Sequence, residues 1–383
     1  MGADPLLHWV EGGEARSARW RSESGAPPAR RVVIADDQMT ADDAYGLACQ
    51  GTALLWRGDF QNARQMLLAL ASRADRQARK PKKPASSSRS VSPAEAFHLH
   101  RQARSQRART LGALLVPLNE DYGIPLRRAP DIRQACAEAY GPPGEPSVAA
   151  LRGLLGLIGA HQWRVKGIEI AALGGRIHPH YGVFAPIRSE YVDLVATAPL
   201  PVSSSSVAFD VGTGTGVLAA VLARRGIRHV IATDHDPRAL ACARENLERL
   251  GLAGQVQVVQ ADLFPAGRAA LAVCNPPWVP ARPSSPIERG IYDAESQMLR
   301  GFLGALPAHL EPAGEGWLIL SDLAEHLGLR PRSQLLAAFE AAGLQVVERL
   351  DVRPKHPRVS DKTDPLHAAR AAEVTSLWRL AAR

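Results

Sequence analysis

From about residue 190 onward, apolar and mixed stretches alternate in regular blocks. Five short apolar runs, "VAFDVG", "HVIATD", "VQVVQAD", "LAVCNPP" and "GWLILSD", are separated by segments of helical spacing near 216–225, 237–250, 295–310 and 331–342. Short apolar runs bounded by turn residues predict buried strands. Their alternation with helices predicts a parallel sheet covered on both faces. Two further strands, "LQVVERLDV" and "TSLWRLAAR", flank a Pro/Lys/His/Asp-rich loop at 354–370. Only a loop joins them, so they are expected to pair antiparallel.

The first half is patterned differently. Residues 1–30 are rich in Gly, Ser, Arg and Pro without periodicity, which predicts disorder. Residues 31–76 carry apolar positions at helical spacing around a Gly58-Asp59 turn, which predicts a helical hairpin. Residues 77–92 read as a basic Pro/Ser/Lys linker. Ser92, Pro93 and Glu95 have the spacing of a helix start. A helical region over 93–162, broken at "YGPPGEP" (140–146), would recognise the substrate. Residues 163–192 form an expected β-hairpin and connector around Leu173-Gly174-Gly175, and 193–383 form the sheet domain.

Composition narrows the setting. The chain has 383 residues, enough for two or three domains. Its four cysteines are scattered without a C-x-x-C pair, so neither zinc nor a disulfide framework is indicated. No apolar run approaches the ~20 residues of a membrane span, and the start lacks a secretory core. A soluble, cytoplasmic protein is expected. The net charge of +8 is uneven. Residues 71–109 hold eleven Arg/Lys against Asp75 and Glu95, so that segment is +9 and the remainder −1. Such a concentration can attract phosphate backbones, with Arg101 and Arg104 as candidate contacts. It serves equally as a solvated helix face.

The first strand of the regular half runs into "FDVGTGTGVLAA", with Asp210, Gly212, Thr213, Gly214 and Gly216. A Gly-x-Gly-x-Gly turn between strand and helix lets the backbone approach a ligand closely. A tight turn without a ligand is the plain alternative. Asp234, followed by His235, ends the second strand and can accept both hydroxyls of a ribose. Asp262, followed by Leu263, ends the third and can accept from an adenine amino group. Asp236, before Pro237, is a helix-cap candidate. A carboxylate at 210 would repel a pyrophosphate and attract an ammonium. The electrostatics therefore favour S-adenosylmethionine over a nicotinamide dinucleotide.

The fourth strand delivers Asn275-Pro276-Pro277-Trp278 to the same edge. A planar NH2 is a poor nucleophile because its lone pair is delocalised. Two acceptors aimed at its hydrogens, the Asn275 side-chain oxygen and the Pro276 carbonyl, would turn that lone pair towards a methyl donor. Prolines stiffen the loop, and Trp278 would stack on a flat acceptor. No metal cluster is seen in the sequence or needed. A proline-ended strand with Trp278 in the core is the alternative.

"FDVGTGTG", "ATDHDPRALACARENLERLG", "ADLFP" and "CNPPWVP" together resemble class I S-adenosylmethionine-dependent methyltransferases of the small-domain, Asn-Pro-Pro-aromatic type. The likeness is greatest to those that methylate release-factor glutamines; related members methylate exocyclic amines of nucleic-acid bases. The resemblance covers roughly 165–383. It implies a Rossmann-like α/β fold, a seven-stranded sheet with its last strand antiparallel, preceded by a mainly α-helical region and a β-hairpin. It implies that Asp210, Gly212 and Gly214 contact the methionine part of the donor, Asp234 the ribose and Asp262 the adenine, while Asn275, Pro276 and Trp278 hold the acceptor. The family's glutamine enzymes usually carry tyrosine where Trp278 stands, and a Pro-rich segment ending in Thr-Glu that Ser189-Glu190 matches one residue out of step; Phe184 and Pro186 could wall the site, and a simple hairpin-to-helix turn is the equal alternative. The implied activity is methyl transfer to a planar NH2 of a protein glutamine or of an RNA or DNA base. A small-molecule methyltransferase and a non-catalytic RNA-binding scaffold are the competing readings.

Overall fold

The computed structural model describes residues 5–79, 91–201, 206–284, 287–355 and 361–383. The chain divides into two compact units, Met1–Val91 with His98–Gln162, and Ser92–Phe97 with Trp163–Arg383. Among the described residues no helix is long and apolar enough to cross a membrane.

The N-terminal unit contains β1 (Leu6–Glu11), β2 (Glu14–Arg21), β3 (Arg31–Ala35), α1 (Ala41–Cys49), β4 (Thr52–Trp56), α2 (Phe60–Arg79), most of α3 (Pro93–Gly112), β5 (Leu114–Leu118), α4 (Arg133–Tyr140), β6 (Ser147–Ala150) and most of α5 (Leu151–Lys166). Its strands form one six-stranded sheet in the order β1-β2-β6-β5-β4-β3. β3, β4 and β5 run parallel; β6 is antiparallel to β5 and parallel to β2, and β1 is antiparallel to β2.

The N-terminal region is richer in helix than in strand, but it is built on a six-stranded sheet that the helical reading did not anticipate, for physical reasons. Residues 6–21, within the stretch expected to be disordered, form a hairpin closed by Gly12 (φ +61) and Gly13 (φ +85). Both residues of a two-residue type I′ turn need positive φ, which glycine adopts without strain. The hairpin is held by few but large apolar residues: Leu7 and Trp20 enter a core with Ala53, Leu55, Leu115 and Val148. The expected helical hairpin at 31–76 is a strand–helix–strand–helix unit. α1 and α2 flank the Gly58-Asp59 turn's neighbourhood as read, but Thr52–Trp56 between them is a strand buried along its whole length. A run buried on both faces has no period-two signature to separate it from helix. Two further strands, β5 and β6, interrupt the 93–162 stretch for the same reason. The basic linker falls largely on residues outside those described. The Ser92 helix start is present, its hydroxyl accepting from the Glu95 N–H at 3.2 Å.

The C-terminal unit continues with β7 (Ile168–Ile170), β8 (Gly175–Ile177), α6 (Glu190–Thr197), β9 (Val207–Val211), α7 (Val217–Arg224), β10 (His229–Asp234), α8 (Pro237–Arg249), β11 (Val256–Gln260), β12 (Ala269–Cys274), α9 (Gln297–His309), β13 (Leu310–Ser321), α10 (Leu323–His326), α11 (Arg332–Ala341), β14 (Leu344–Val352), α12 (His367–Ala372) and β15 (Thr375–Ala382). β7 and β8 pair as the expected hairpin. The seven-stranded sheet has the order β11-β10-β9-β12-β13-β15-β14. β15 is antiparallel to both neighbours, and the pairs among β9 to β13 are parallel. The order reverses at β9, where the next strand in sequence, β10, lies on one side and β12 on the other. Such a switch point opens a crevice at the carboxyl ends of those strands. α7, buried from Val217 to Ala223, packs one face of the sheet, and Phe302, Leu303 and Leu306 of α9 pack the other.

Candidate active site

β9 ends in Asp210 and Val211, and the three glycines after it all have left-handed backbones: Gly212 (φ +74), Gly214 (φ +55) and Gly216 (φ +81). Each is required for a different reason. A Cβ at Gly216 would come within 3.2 Å of the Ala243 Cα, so glycine lets α8 pack close to the turn. A Cβ at Gly212 would press on the Met298 methyl group of α9. A Cβ at Gly214 would meet nothing within 4 Å. The face over Gly214 is thus open to a ligand, and the loop beneath it is pinned: the N–H groups of Gly212 and Thr213 both donate to the Thr233 carbonyl, at 2.9 and 2.8 Å.

Asp210 is buried behind this loop. Its Oδ2 accepts from the Thr213 hydroxyl at 2.6 Å and from the Ala219 N–H of α7 at 2.9 Å. Burial pushes its carboxyl up to about 6, aided by the charge of Asp234 and opposed by those two hydrogen bonds. Asp234, at the end of β10, accepts from the Gly214 N–H through Oδ2 and from the Asp236 N–H through Oδ1, both at 3.0 Å. It therefore shapes the glycine loop. His235 beside it is exposed, its Nδ1 3.8 Å from the Asp234 carboxylate. Asp236 caps α8 by accepting from the Arg238 N–H at 2.9 Å. After β11, Asp262 is exposed and Leu263 holds a left-handed φ of +69, its carbonyl accepting from the Thr233 hydroxyl. A non-glycine residue in that region is strained and is retained where its surroundings enforce it. Here the Leu263 side chain packs so tightly on α9 that a Cβ at Gly301 would lie 2.7 Å from it.

β12 brings Asn275 to the same edge, next to β9. The indole Nε1–H of Trp278 donates to the Asn275 Oδ1 at 2.8 Å. Pro276 is buried, while Asn275, Pro277 and Trp278 are half-buried. One face of the Trp278 ring carries the Arg188 guanidinium, 5.0 Å from the ring centre. Arg188 is anchored in turn: Nε donates to Glu190 at 2.7 Å, and Nη1 and Nη2 both donate to Oε1 of buried Glu373 at 3.0 Å. The Ser321 hydroxyl, at the end of β13, donates to the same oxygen at 2.7 Å. From another direction, buried Arg330 donates to the Trp278 carbonyl at 3.3 Å and to the Ser296 hydroxyl at 3.1 Å. Ser296 and Glu295 are consecutive left-handed residues (φ +55 each), and Asp293 just before them accepts from the N–H groups of Met298 and Leu299 at the start of α9. Phe97 at the start of α3 packs with Val279, Leu323 and Leu327 beneath this loop.

Phe184 and Pro186 lie on a strap between β8 and α6. The strap is fixed to α8 at one end: the Asn246 side chain accepts from the His178 N–H at 2.7 Å and donates to the Thr215 carbonyl at 3.0 Å, and Val183 packs on Ala239 and Cys242. At the other end Phe184 sits against Gly290, where a Cβ would be 2.7 Å from its own. The structure thus brings together the glycine loop, Asp234, Asn275, Trp278 and this strap. Arg101 and Arg104 belong to the N-terminal unit. Sequence reasoning passed over Arg188, Arg330, Glu373 and Met298. Arg188 could have been found, since it precedes the Ser189-Glu190 pair that stood out.

The sheet order, the antiparallel β15 and the glycine loop at the switch point have the arrangement of the Rossmann-like class I methyltransferase fold. Residues 175–341 match the methyltransferase small domain family. The chain is 39% identical over 144 residues to the ribosomal protein L11 methyltransferase of Pelotomaculum thermopropionicum, covering 37% of this chain and 39% of that one. It is 36% identical over 160 residues to the release factor glutamine methyltransferase of Cereibacter sphaeroides, covering 37% and 53%. It is 26% identical over 178 residues to the tRNA1(Val) (adenine(37)-N6)-methyltransferase of Shewanella loihica, covering 44% and 70%. The chain spans about half or less of the first two relatives' length.

Proposed function

We propose that the protein is an N-methyltransferase acting on a planar NH2 nitrogen of a macromolecule, a protein glutamine amide or the exocyclic amine of a nucleic-acid base. The observation that carries this reading is the placement of the Asn275 carboxamide, oriented by Trp278, on the strand next to the glycine loop. S-adenosylmethionine fits the open face over Gly214 and supplies a methyl group on a positively charged sulfur. Transfer forms an N–C bond, breaks the S–C bond, leaves S-adenosylhomocysteine and releases one N–H proton to water.

The chain's own residues bind and orient. The carboxylate of Asp210 lies behind the loop as a negative charge for the donor's ammonium end, and Asp234 and Asp262 take the ribose and adenine. An amide oxygen can accept two hydrogen bonds. Asn275 Oδ1 uses one on the indole and keeps one for the acceptor NH2, with the Pro276 carbonyl as the second acceptor. Holding both hydrogens in fixed directions favours the pyramidal nitrogen of the transition state. Trp278 serves first by fixing that carboxamide, because Arg188 already occupies one face of its ring.

Incubation with a tritium-labelled methyl donor and cell extract, followed by nuclease or protease, tests the reading. Label is expected in a macromolecular fraction. Label confined to small molecules, or no donor binding by folded protein in calorimetry, would replace it with the small-molecule or scaffold reading.

A further inference from the structure

Arginines from three helices of the N-terminal unit gather on one region. Asp75 of α2 takes two hydrogen bonds from Arg107 of α3, at 2.7 and 3.2 Å, which ties those helices side by side. Arg73 of α2 pairs with Asp42 of α1 at 2.7 Å, and Arg76 adds its charge to the same carboxylate. Along α3, Arg101, Arg104 and Arg107 recur every three residues, so they lie along one side of the helix. Arg152 stands in the first turn of α5. Partial burial, and then the guanidiniums of Arg107 and Arg104, lower its hold on its proton although its side chain reaches solvent.

Arg73 and Arg107 are each engaged by a carboxylate, Asp42 and Asp75, while Arg152 lies close enough to Arg104 and Arg107 to feel their charge. The first turn of α5, which carries Arg152, holds no acidic residue to offset that charge. Like charges that the fold holds together repel one another, and an anion laid across them relieves that repulsion. The three α3 arginines alone span roughly 9 Å at 1.5 Å per residue. A single phosphate cannot cover that length, whereas a chain of phosphates spaced a few Å apart can.

We propose that the face formed by α3 and the start of α5, centred on Arg104, Arg107 and Arg152, binds the phosphate backbone of a polynucleotide. This deepens the proposed function, and rests on it for the methyl step, by making the acceptor a base. The backbone contacts would position the strand and carry little sequence information of their own.

The test is anisotropy of the full chain with a labelled, unstructured 20-nucleotide RNA from 50 to 300 mM salt. With three to four phosphates engaged, log affinity should fall against log salt with a slope of about −2 to −3. The double variant Arg104→Glu, Arg152→Glu should bind more than tenfold more weakly and show a slope shallower by about 1.4. A charge-matched control, Arg30→Glu with Arg353→Glu, should bind as the parent does. Equal weakening in the control, a flat salt response, or equal competition by polyglutamate or anionic vesicles would overturn the proposal. Donor binding measured by calorimetry separates the two readings. RNA bound without donor binding keeps the surface and removes the methyltransferase reading. Label on protein with no RNA affinity does the reverse.

Discussion

The Trp278 indole nitrogen and the Asn275 carboxamide oxygen are 2.8 Å apart, within the four residues that follow β12. A carboxamide can flip, exchanging its acceptor for its donor end at little cost unless a partner decides. The indole is donor-only, so it selects the orientation in which oxygen faces it. A tyrosine hydroxyl can either donate or accept and enforces that choice less strictly.

Trp278→Phe should keep the ring under Arg188 and lose the donor. Turnover is expected to fall roughly tenfold, the worth of one hydrogen bond to a neutral group, with donor affinity unchanged. Asn275→Ala should cost on the order of 10²-fold or more. Methyl transfer under saturating donor, alongside calorimetry, reads both. Parental turnover in Trp278→Phe would remove the orienting role.

The glycines make a sharper pair. Gly214→Ala should cost about 1 kcal/mol in stability from its left-handed backbone alone, since its Cβ has room. Donor affinity should fall steeply because that Cβ occupies the open face. Gly216→Ala should lower the melting temperature more, because its Cβ also meets the backbone of α8. Equal loss of donor affinity in both would mean that the open face is not the donor site.

What was legible in the sequence follows from locality. Asp210 to Gly216 and Asn275 to Trp278 are contiguous, so their chemistry can be read from spacing. The Arg188–Glu373–Ser321 cluster joins three segments that only the assembled sheet brings together, through β15 lying beside β13. No local pattern announces it. The N-terminal sheet was missed for another reason: Thr52–Trp56 is buried on both sides, and the hairpin at 6–21 relies on Leu7 and Trp20 in an otherwise polar stretch. Pattern reading needs a wet face and a dry face, and neither strand supplies a clear one.

Asp210 should make both stability and donor binding depend on pH. Its carboxyl is raised from 3.8 to about 6, so the fold disfavours its charged form. Between about pH 4 and 6 the folded chain holds a proton that the unfolded chain has released, and stability should fall as pH rises through that window. The total is on the order of 3 kcal/mol. A donor ammonium nearby would favour the carboxylate, so donor affinity should rise from pH 5 to 7. Asp210→Asn should flatten both profiles and weaken donor binding at pH 7. Denaturant melts and calorimetry across pH 5–7 measure them, and a pH-independent affinity in the parent would exclude Asp210 from donor recognition.

Arg188 and Glu373 form a pair whose two members should fail differently from their sum. Glu373 is buried, and its Oε1 is satisfied by two guanidinium N–H groups and the Ser321 hydroxyl. Arg188→Met leaves a carboxylate in the protein interior with one remaining donor, which should cost about 3–5 kcal/mol. It also uncovers the Trp278 ring face, so turnover should fall as the indole loosens. Adding Glu373→Gln removes the stranded charge and should restore most of the stability while leaving turnover low, since nothing then covers the indole. Urea melts of the two single variants and the double variant give the coupling energy, and methyl transfer gives the rate. Recovery of turnover together with stability would show that Arg188 acts only through the fold and has no separate hold on Trp278.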